Sequence, residues 1–523
     1  MPAIDQFMFP GVTPSDVSVG VGVSEKRVHV ATAAPNDGYP VFSPTSAVRD
    51  SARRWTEGAR TTVSIDNDAL DAFASEIARD ILSSSSSGST APVIEWDAHG
   101  WHYSGSNYRG RCKFARMERV VMYVLALDAI NFCFWPVPPP SSSSSSSREG
   151  KDDGVVATAT DGTATTRRNG LEYEHLATAL RMIAEADDDD EVIDAGVDPF
   201  NEDDVVVVRS GSSYALSPAN LSSLTPDKLR SLLRPHFPSP AGDVIFDLPN
   251  VEVRCELLNE LGRGLVEHHD GSSLCMISKA NGSADALVGI ILDTFPGFRD
   301  YVDVAVAVDG GRDDGSYSSS SDPSPPPRDG WEKAREGSSS VVHFYKRAQI
   351  AVADIWAALG RRRRRGALPS SSESVAVGGG VDPAANSKFE RICEFYDVDL
   401  LTTFPDYRVP QILRNVGVLR YDPPLAMAVD RRTTLERGGI DEISIRAGTV
   451  SAVEGIVRRV REIIVSSVVA NKSTAAEGGD VDPREIADDV SAVTVDWYLW
   501  QHGERLDRAN LLGEHHRVVT TFY

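Results

Sequence analysis

The sequence predicts a mainly α-helical fold: one helical domain interrupted by long disordered loop insertions. Three observations carry this. Apolar residues recur at spacings of three and four through most of the long segments. Only three short stretches read as strands, and none alternates with helices as a parallel α/β sheet requires. The remaining long stretches are Ser, Gly, Pro and charge without apolar periodicity, and such composition does not offset the entropy of ordering.

Taken in order, "ALDAFASEIARDIL" (69–82) repeats Leu70, Phe73, Ile77 and Ile81 along one helical face. "FARMERVVMYVLALDAINFCFW" (114–135) starts amphipathic and becomes apolar almost all round, as a central helix does. "EYEHLATALRMIAEA" (172–186) is amphipathic and is followed by four aspartates. In "SLTPDKLRSLLRP" (223–235), Thr225 is the expected N-cap, Pro226 the first helical residue and Pro235 the stop. Helices are also expected over 252–269, 283–295, 341–360, 448–469 and 485–504. The strand-like stretches are "DEVIDAG", "DVVVVRS" and the tail "HHRVVTTFY". Insertions are expected near 83–90, 138–168, 309–340 and 361–386, with 1–45 an N-terminal extension and 46–523 the domain itself.

Charge and composition exclude several functions. The chain carries 53 Lys and Arg against 76 Asp and Glu, a net charge of −23, whereas a duplex-binding protein presents a basic face. No direct nucleic-acid partner is therefore expected. The five arginines at 361–365 border a Gly/Ser-rich stretch and read as a solvated loop. Five scattered cysteines without a CxxC pair fit a reducing compartment and give no zinc framework. No apolar run is long enough to span a bilayer, and the N-terminus lacks the order of a secretory signal. A cytoplasmic protein without a membrane partner is the expectation.

No GxGxxG after a strand, P-loop, HExxH or GxSxG is present. What stands out is chemistry at helix ends. Arg299 and Asp300 follow the 283–295 helix, and Lys346 and Arg347 open another among aromatics. His99 and His102 lie in "WDAHGWHY", Asp406, Tyr407 and Arg408 in "FPDYRVP", and "DWYLWQHGE" combines aromatics with two acids. Each has a structural reading as packing, ion pair or satisfied histidine. Together they suit a flat, charged, hydrogen-bonding ligand such as a nucleobase.

Five motifs, "LDAINFCFWP", "FPGFRD", "HFYKRAQIAVADIW", "LTTFPDYRVPQILRNVGVLRY" and "TVDWYLWQHG", stand in the order and helical context of the queuosine salvage proteins, the queuosine 5′-phosphate N-glycosylases. The chain resembles that family from about Ala47 to Tyr523, apart from the insertions. The resemblance implies a fold like that of helix-hairpin-helix DNA glycosylases, acting on queuosine 5′-monophosphate to release queuine for tRNA. It implies Asp300 as the catalytic carboxylate, with Phe298, Asp406, Tyr407, Gln411 and His102 contacting the ligand. Asp406 would accept from the NH edge of the base. Lys346, Arg347 and Arg408 are the candidates for the 5′-phosphate, with Lys346 first. No cofactor and no metal are expected, because no set of His, Cys and acids has ligand spacing. The competing readings are a non-enzymatic queuine- or nucleotide-binding protein and a DNA base-excision glycosylase.

Overall fold

The computed structural model describes residues 42–85, 94–106, 113–134, 171–189, 214–237, 248–305, 328–336, 338–361, 391–471 and 483–523, with short strand segments at 28–29, 200–201 and 205–206. The chain divides into two units, Met1–Pro35 with Asp194–Ser212, and Asn36–Ile193 with Ser213–Tyr523. In the first, β1 (Val28–His29), β3 (Phe200–Asn201) and β4 (Val205–Val206) form an antiparallel sheet in the order β1-β4-β3, with Val28 opposite Val206.

The second unit is mainly helical, as expected. It begins with α1 (Pro44–Thr56), β2 (Val63–Ile65), α2 (Asn67–Ser85), α3 (Lys113–Ala129) and α4 (Tyr173–Asp189). It continues through α5 (Pro218–Leu221), α6 (Pro226–Leu233), α7 (Val251–His268), α8 (Ser273–Ser278), α9 (Ala284–Thr294) and β5 (Tyr301–Asp303). Next come α10 (Arg328–Arg335), β6 (Val341–His343), α11 (Lys346–Ile355), α12 (Arg408–Asn415), β7 (Leu419–Tyr421) and α13 (Pro423–Asp430). The chain closes with β8 (Thr434–Leu435), α14 (Ile440–Asn471), α15 (Pro483–Asp488), α16 (Ala492–Arg508) and β9 (Arg517–Val518).

Local signals fix where these helices start. Thr225 Oγ1 accepts from the Lys228 amide with Pro226 at the first position of α6. Ser491 and Thr494 form a reciprocal capping box on α16. That cap divides the expected 485–504 helix into α15 and α16. Helix α3 is the central one, buried from Val120 through Ile130, and packs against α4, α7, α8 and α11. It ends at Ala129, short of the expected 135. Two buried guanidiniums hold the segment beyond it: Arg254 donates to the carbonyls of Ile130, Phe132 and Cys133, and Arg347 to that of Ala129. Captured carbonyls cannot continue a helical ladder, so the chain turns and carries Phe132 and Phe134 outward from the helix.

Two further expectations change. Within the stretch read as an insertion near 309–340, Arg328–Arg335 is a helix whose Trp331 is buried against Phe42, Tyr301 and the Arg299 guanidinium. Arg361, read as part of a solvated arginine run, instead donates to Ile94 O and pairs with Asp489. The strand read in "DEVIDAG" and most insertion residues lie outside the described residues. No helix among the described residues is long and apolar enough to cross a membrane.

Helix α14 packs against α1, α2, α12, α15 and α16, and every residue from Glu442 to Val450 is buried. At its centre Arg446 forms a two-pronged pair with Asp300, Nη1–Oδ1 2.9 Å and Nη2–Oδ2 2.5 Å. Antiparallel β5 and β6, with Tyr301 opposite His343, bring Asp300 beside the start of α11. There the Asp300 carbonyl accepts from Phe344 N (2.9 Å) and Tyr345 N (3.0 Å), and Oδ2 accepts from Lys346 N (3.3 Å). Removing one member of a buried pair leaves an uncompensated charge, at a cost of about 3–5 kcal/mol. Arg446→Met is therefore expected to lose roughly that much stability in urea unfolding; an unchanged midpoint would contradict the role given to the pair.

Candidate functional site

Four parts of the chain converge on one cavity. Helix α11 contributes Lys346, Ile350 and Asp354, spaced four apart and so stacked on one face. Helix α16 contributes Asp496, Trp497, Trp500 and Gln501 from successive turns. The non-helical segment before α12 supplies Phe404, Asp406 and Tyr407, and the segment after α3 supplies Asn131, Phe132 and Phe134. Trp96, His102, Tyr173 and Tyr523 complete the wall. Helices α12 and α16 approach closely because Gly503 has no side chain: a Cβ there would lie 2.4 Å from Ile412 Cδ1 and 2.9 Å from Arg408 Cδ.

The walls are aromatic, and the charged groups among the lining are three acids, Asp354, Asp406 and Asp496, with Lys346. Asp406 is anchored by one oxygen: Oδ1 accepts from the amides of Arg408 (2.8 Å) and Val409 (3.1 Å) in the first turn of α12. A helix N-terminus favours a negative charge at that point. Asp496 Oδ2 accepts from Phe404 N (2.9 Å) and from Thr403 Oγ1, and burial, with Asp406 adding, pushes its carboxyl up to about 7. Asp354 Oδ1 accepts from Trp96 Nε1 (2.9 Å), and burial together with Asp128 holds its carboxyl well above the usual range. Lys346 is only 3% exposed, and no described residue forms an ion pair with its ammonium. Burial lowers its pKa, while Asp406, Asp128 and Asp496 oppose the shift.

His102 is held from both sides. Nδ1 lies 2.9 Å from Asp97 Oδ1, Nε2 lies 2.8 Å from the Tyr173 hydroxyl, and the ring stacks on Trp96. With Nδ1 donating to Asp97, Nε2 accepts from Tyr173. His99, its neighbour in sequence, is exposed and stacks on Trp101 away from this cavity.

Of the residues singled out by sequence, the structure brings His102, Lys346, Asp406 and Tyr407 together. It does not bring Asp300, Phe298, Gln411 or Arg408 to the cavity wall. Asp300 is 1% exposed, and both its oxygens are taken by Arg446 and the Lys346 amide. Phe298 is buried against Phe295 and beneath the Arg347 guanidinium. Gln411 Oε1 accepts from Arg408 Nη1 (2.8 Å), and Nε2 donates to Gly513 O (2.6 Å). Arg408 is paired with Glu504 (2.7 Å) and Asp507 (3.0 Å), and Arg347 donates to the carbonyls of Ala129 and Gly297. Lys346 alone of the three proposed cations faces the cavity.

Sequence reasoning missed Asp354, Asp496, Trp96, Tyr173 and Trp500. The signal for Asp354 was present: it stands two turns after Lys346, on the same stripe of one helix. Asp496 and Trp500 stand in the same way one turn apart in a segment noted only for its composition.

Comparison with known proteins agrees with this arrangement of motifs. The description of the queuosine salvage protein family matches residues 208–307 and 382–523. Over these two segments the chain is similar to that family. A queuosine 5′-phosphate N-glycosylase/hydrolase of Dictyostelium discoideum is 26% identical over 482 residues, 92% of this chain and 100% of that protein. Proteins of the same description from Sphaerobacter thermophilus and Mus musculus are 27% and 26% identical, each covering 78% of this chain and 82% of its own length. The second matched segment of the queuosine salvage family runs from before Asp406 to Tyr523 and so includes the α12 and α16 walls.

Behind Lys346 lies Asp128 of α3, whose carboxyl burial pushes up to about 7. The folded chain then keeps this proton through a range in which the unfolded chain has lost it. Its contribution to stability is present below about pH 4 and is lost as pH rises to about 7. Asp128→Asn lacks this dependence. Relative to wild type, the variant should gain roughly 2–3 kcal/mol between pH 5 and pH 8 in urea unfolding; parallel pH profiles would contradict it.

Proposed function

We propose that this chain hydrolyses the N-glycosidic bond of queuosine 5′-monophosphate and releases queuine and ribose 5-phosphate, the queuine being available for return to tRNA. The observation that carries the reading is the presence, in one aromatic-walled cavity, of an anchored carboxylate, Asp406, and an ammonium, Lys346, with which no described residue forms an ion pair. The names of the relatives, each a queuosine 5′-phosphate N-glycosylase/hydrolase, support it.

Queuine is a 7-deazapurine and has carbon where other purines offer N7 for protonation. Departure of the base then depends on stabilising positive charge on the ribosyl ring and on hydrogen bonds to the base. Asp406 takes the first task. Its Oδ1 is fixed by α12, and Oδ2 is left to face the developing cation. The role passes to Asp406 from Asp300 because Arg446 already occupies the latter. Asp300 acts as a positioning residue, setting the start of α11 and hence Lys346. Phe404, Tyr407 and the tryptophans hold the flat base, and Lys346 takes the 5′-phosphate. The acids suit the protonated amine on the side arm of queuine.

In this reading residues 46–523 form the catalytic domain, akin to helix-hairpin-helix DNA glycosylases but acting on a free nucleotide. It works in the cytoplasm and needs neither metal nor cofactor. The acidic balance of the whole chain argues against DNA as substrate.

The test is release of queuine from queuosine 5′-monophosphate, followed by mass spectrometry, with single-turnover kinetics on Asp406→Asn. Losing a preorganised charge of this kind costs about 10²–10³ in rate or more, and the variant should show that loss. Queuine affinity measured by calorimetry should change less than the rate. No queuine from the wild-type protein, or wild-type turnover by Asp406→Asn, would overturn the reading.

A further inference from the structure

We infer that Asp496 is a catalytic acid of this site, donating the proton that the base acquires as it leaves. This rests on the glycosidase reading above. A base without N7 must take its proton elsewhere, on N3 or on the exocyclic carbonyl, so a donor has to stand on the face of the cavity where the base sits. Two buried acids line the cavity besides Asp406, and their surroundings differ.

Asp496 is 4% exposed, and its two oxygens are not equivalent. Oδ2 accepts from both the Phe404 amide and the Thr403 hydroxyl, which leaves no lone pair well placed for a further donor there. No described residue donates to Oδ1, which remains for the cavity. Two donors aimed at one oxygen direct a proton to the other. Asp354 is arranged otherwise. Its Oδ1 accepts from Trp96 Nε1, whereas Asp496 is bonded to Thr403 and Phe404, the residues that lead into Asp406, the anion assigned to the ribose side. Asp496 is thus the acid nearer the bond that breaks. The charged groups facing it are Asp406 from the segment before α12, and Lys346 and Asp354 from α11. Burial and the Asp406 charge disfavour its ionised form, which keeps a proton available near neutral pH.

The step balances as follows. The electron pair of the C1′–N bond moves to the base while the carboxyl proton of Asp496 passes to it. Water adds to C1′ and gives a proton to Asp406. After the products leave, that proton returns to Asp496, and the net reaction consumes one water.

The experiment measures single-turnover hydrolysis of queuosine 5′-monophosphate from pH 5 to pH 9 by the full chain, with three variants. In the wild-type protein the rate should fall with a one-proton slope above about pH 7, the point to which the Asp496 carboxyl is raised. Asp496→Asn should lose about 10²–10⁴ in rate and lose this alkaline limb, with queuine affinity changed less than tenfold. Asp496→Glu should restore part of the rate together with the limb. Thr403→Val removes a donor that favours the ionised carboxylate, so its limb should move to higher pH; this variant carries the test if Asp496→Asn does not fold. An unchanged limb in Asp496→Asn, a rate within tenfold of wild type, or an unmoved limb in Thr403→Val would overturn the proposal. A wild-type protein that releases no queuine would instead count against the glycosidase reading itself.

Discussion

One buried guanidinium organises the site. Arg446, in the fully buried stretch of α14, grips Asp300 with two nitrogens and donates from Nε to the Pro405 carbonyl at 3.1 Å. Its planar face lies 4.0 Å from the Phe344 ring centroid and 4.6 Å from that of Tyr523. Asp300 fixes the turn that begins α11 and so sets Lys346, Pro405 precedes Asp406, and Tyr523 is part of the cavity wall. The cation, the anion and one wall therefore share a single support. A planar, permanently charged fork can make these contacts at once, which an ammonium cannot. Tyr345, just before Lys346, adopts a left-handed conformation (φ 50°), and the two amides bonded to the Asp300 carbonyl hold it there.

The same logic recurs on the opposite side. Arg254 and Arg347 end α3 by capturing its last carbonyls, and their guanidiniums also lie over the Phe132 ring. Burial lowers both arginine pKa values, to about 9 and about 10 respectively. Around Lys346 the cavity then gathers several buried carboxyls and one ammonium. Ionising all the acids together would be prohibitive at such burial, so Asp128, Asp354 and Asp496 are pushed toward their neutral forms. A site of this kind presents both an acceptor and hydrogen-bond donors from one residue type, with environment deciding which is which.

The helical class was legible because most elements bury one stripe, and a stripe shows as spacing. The capped start of α6 was legible from Thr225 and Pro226, whereas the Ser491 cap that separates α15 from α16 was not read. What periodicity does not contain is partnership across long separations. Asp300 and Arg446 lie 146 residues apart, and nothing near "FRD" announces that its aspartate is already paired. Sequence singled out Asp300 without showing that Arg446 and the Lys346 amide already occupy its oxygens. Arg408 misled similarly, since Glu504 and Asp507 that neutralise it lie far along the chain. Asp406, Tyr407, Lys346 and His102 line one cavity because each stands at a helix end or loop that opens on the same space. Trp331, taken for filler, shows that a short helix can hide in a Ser/Pro-rich neighbourhood.

Co-crystallising the protein with queuine tests most directly whether the cavity between α11, the segment before α12, and α16 receives the base. The flat ring is expected between Phe404, Tyr407 and the α16 tryptophans, with its polar edge within hydrogen-bond reach of Asp496 and with Asp300 still paired to Arg446. Queuine held by an Asp300 released from Arg446, or bound anywhere outside this cavity, would contradict it.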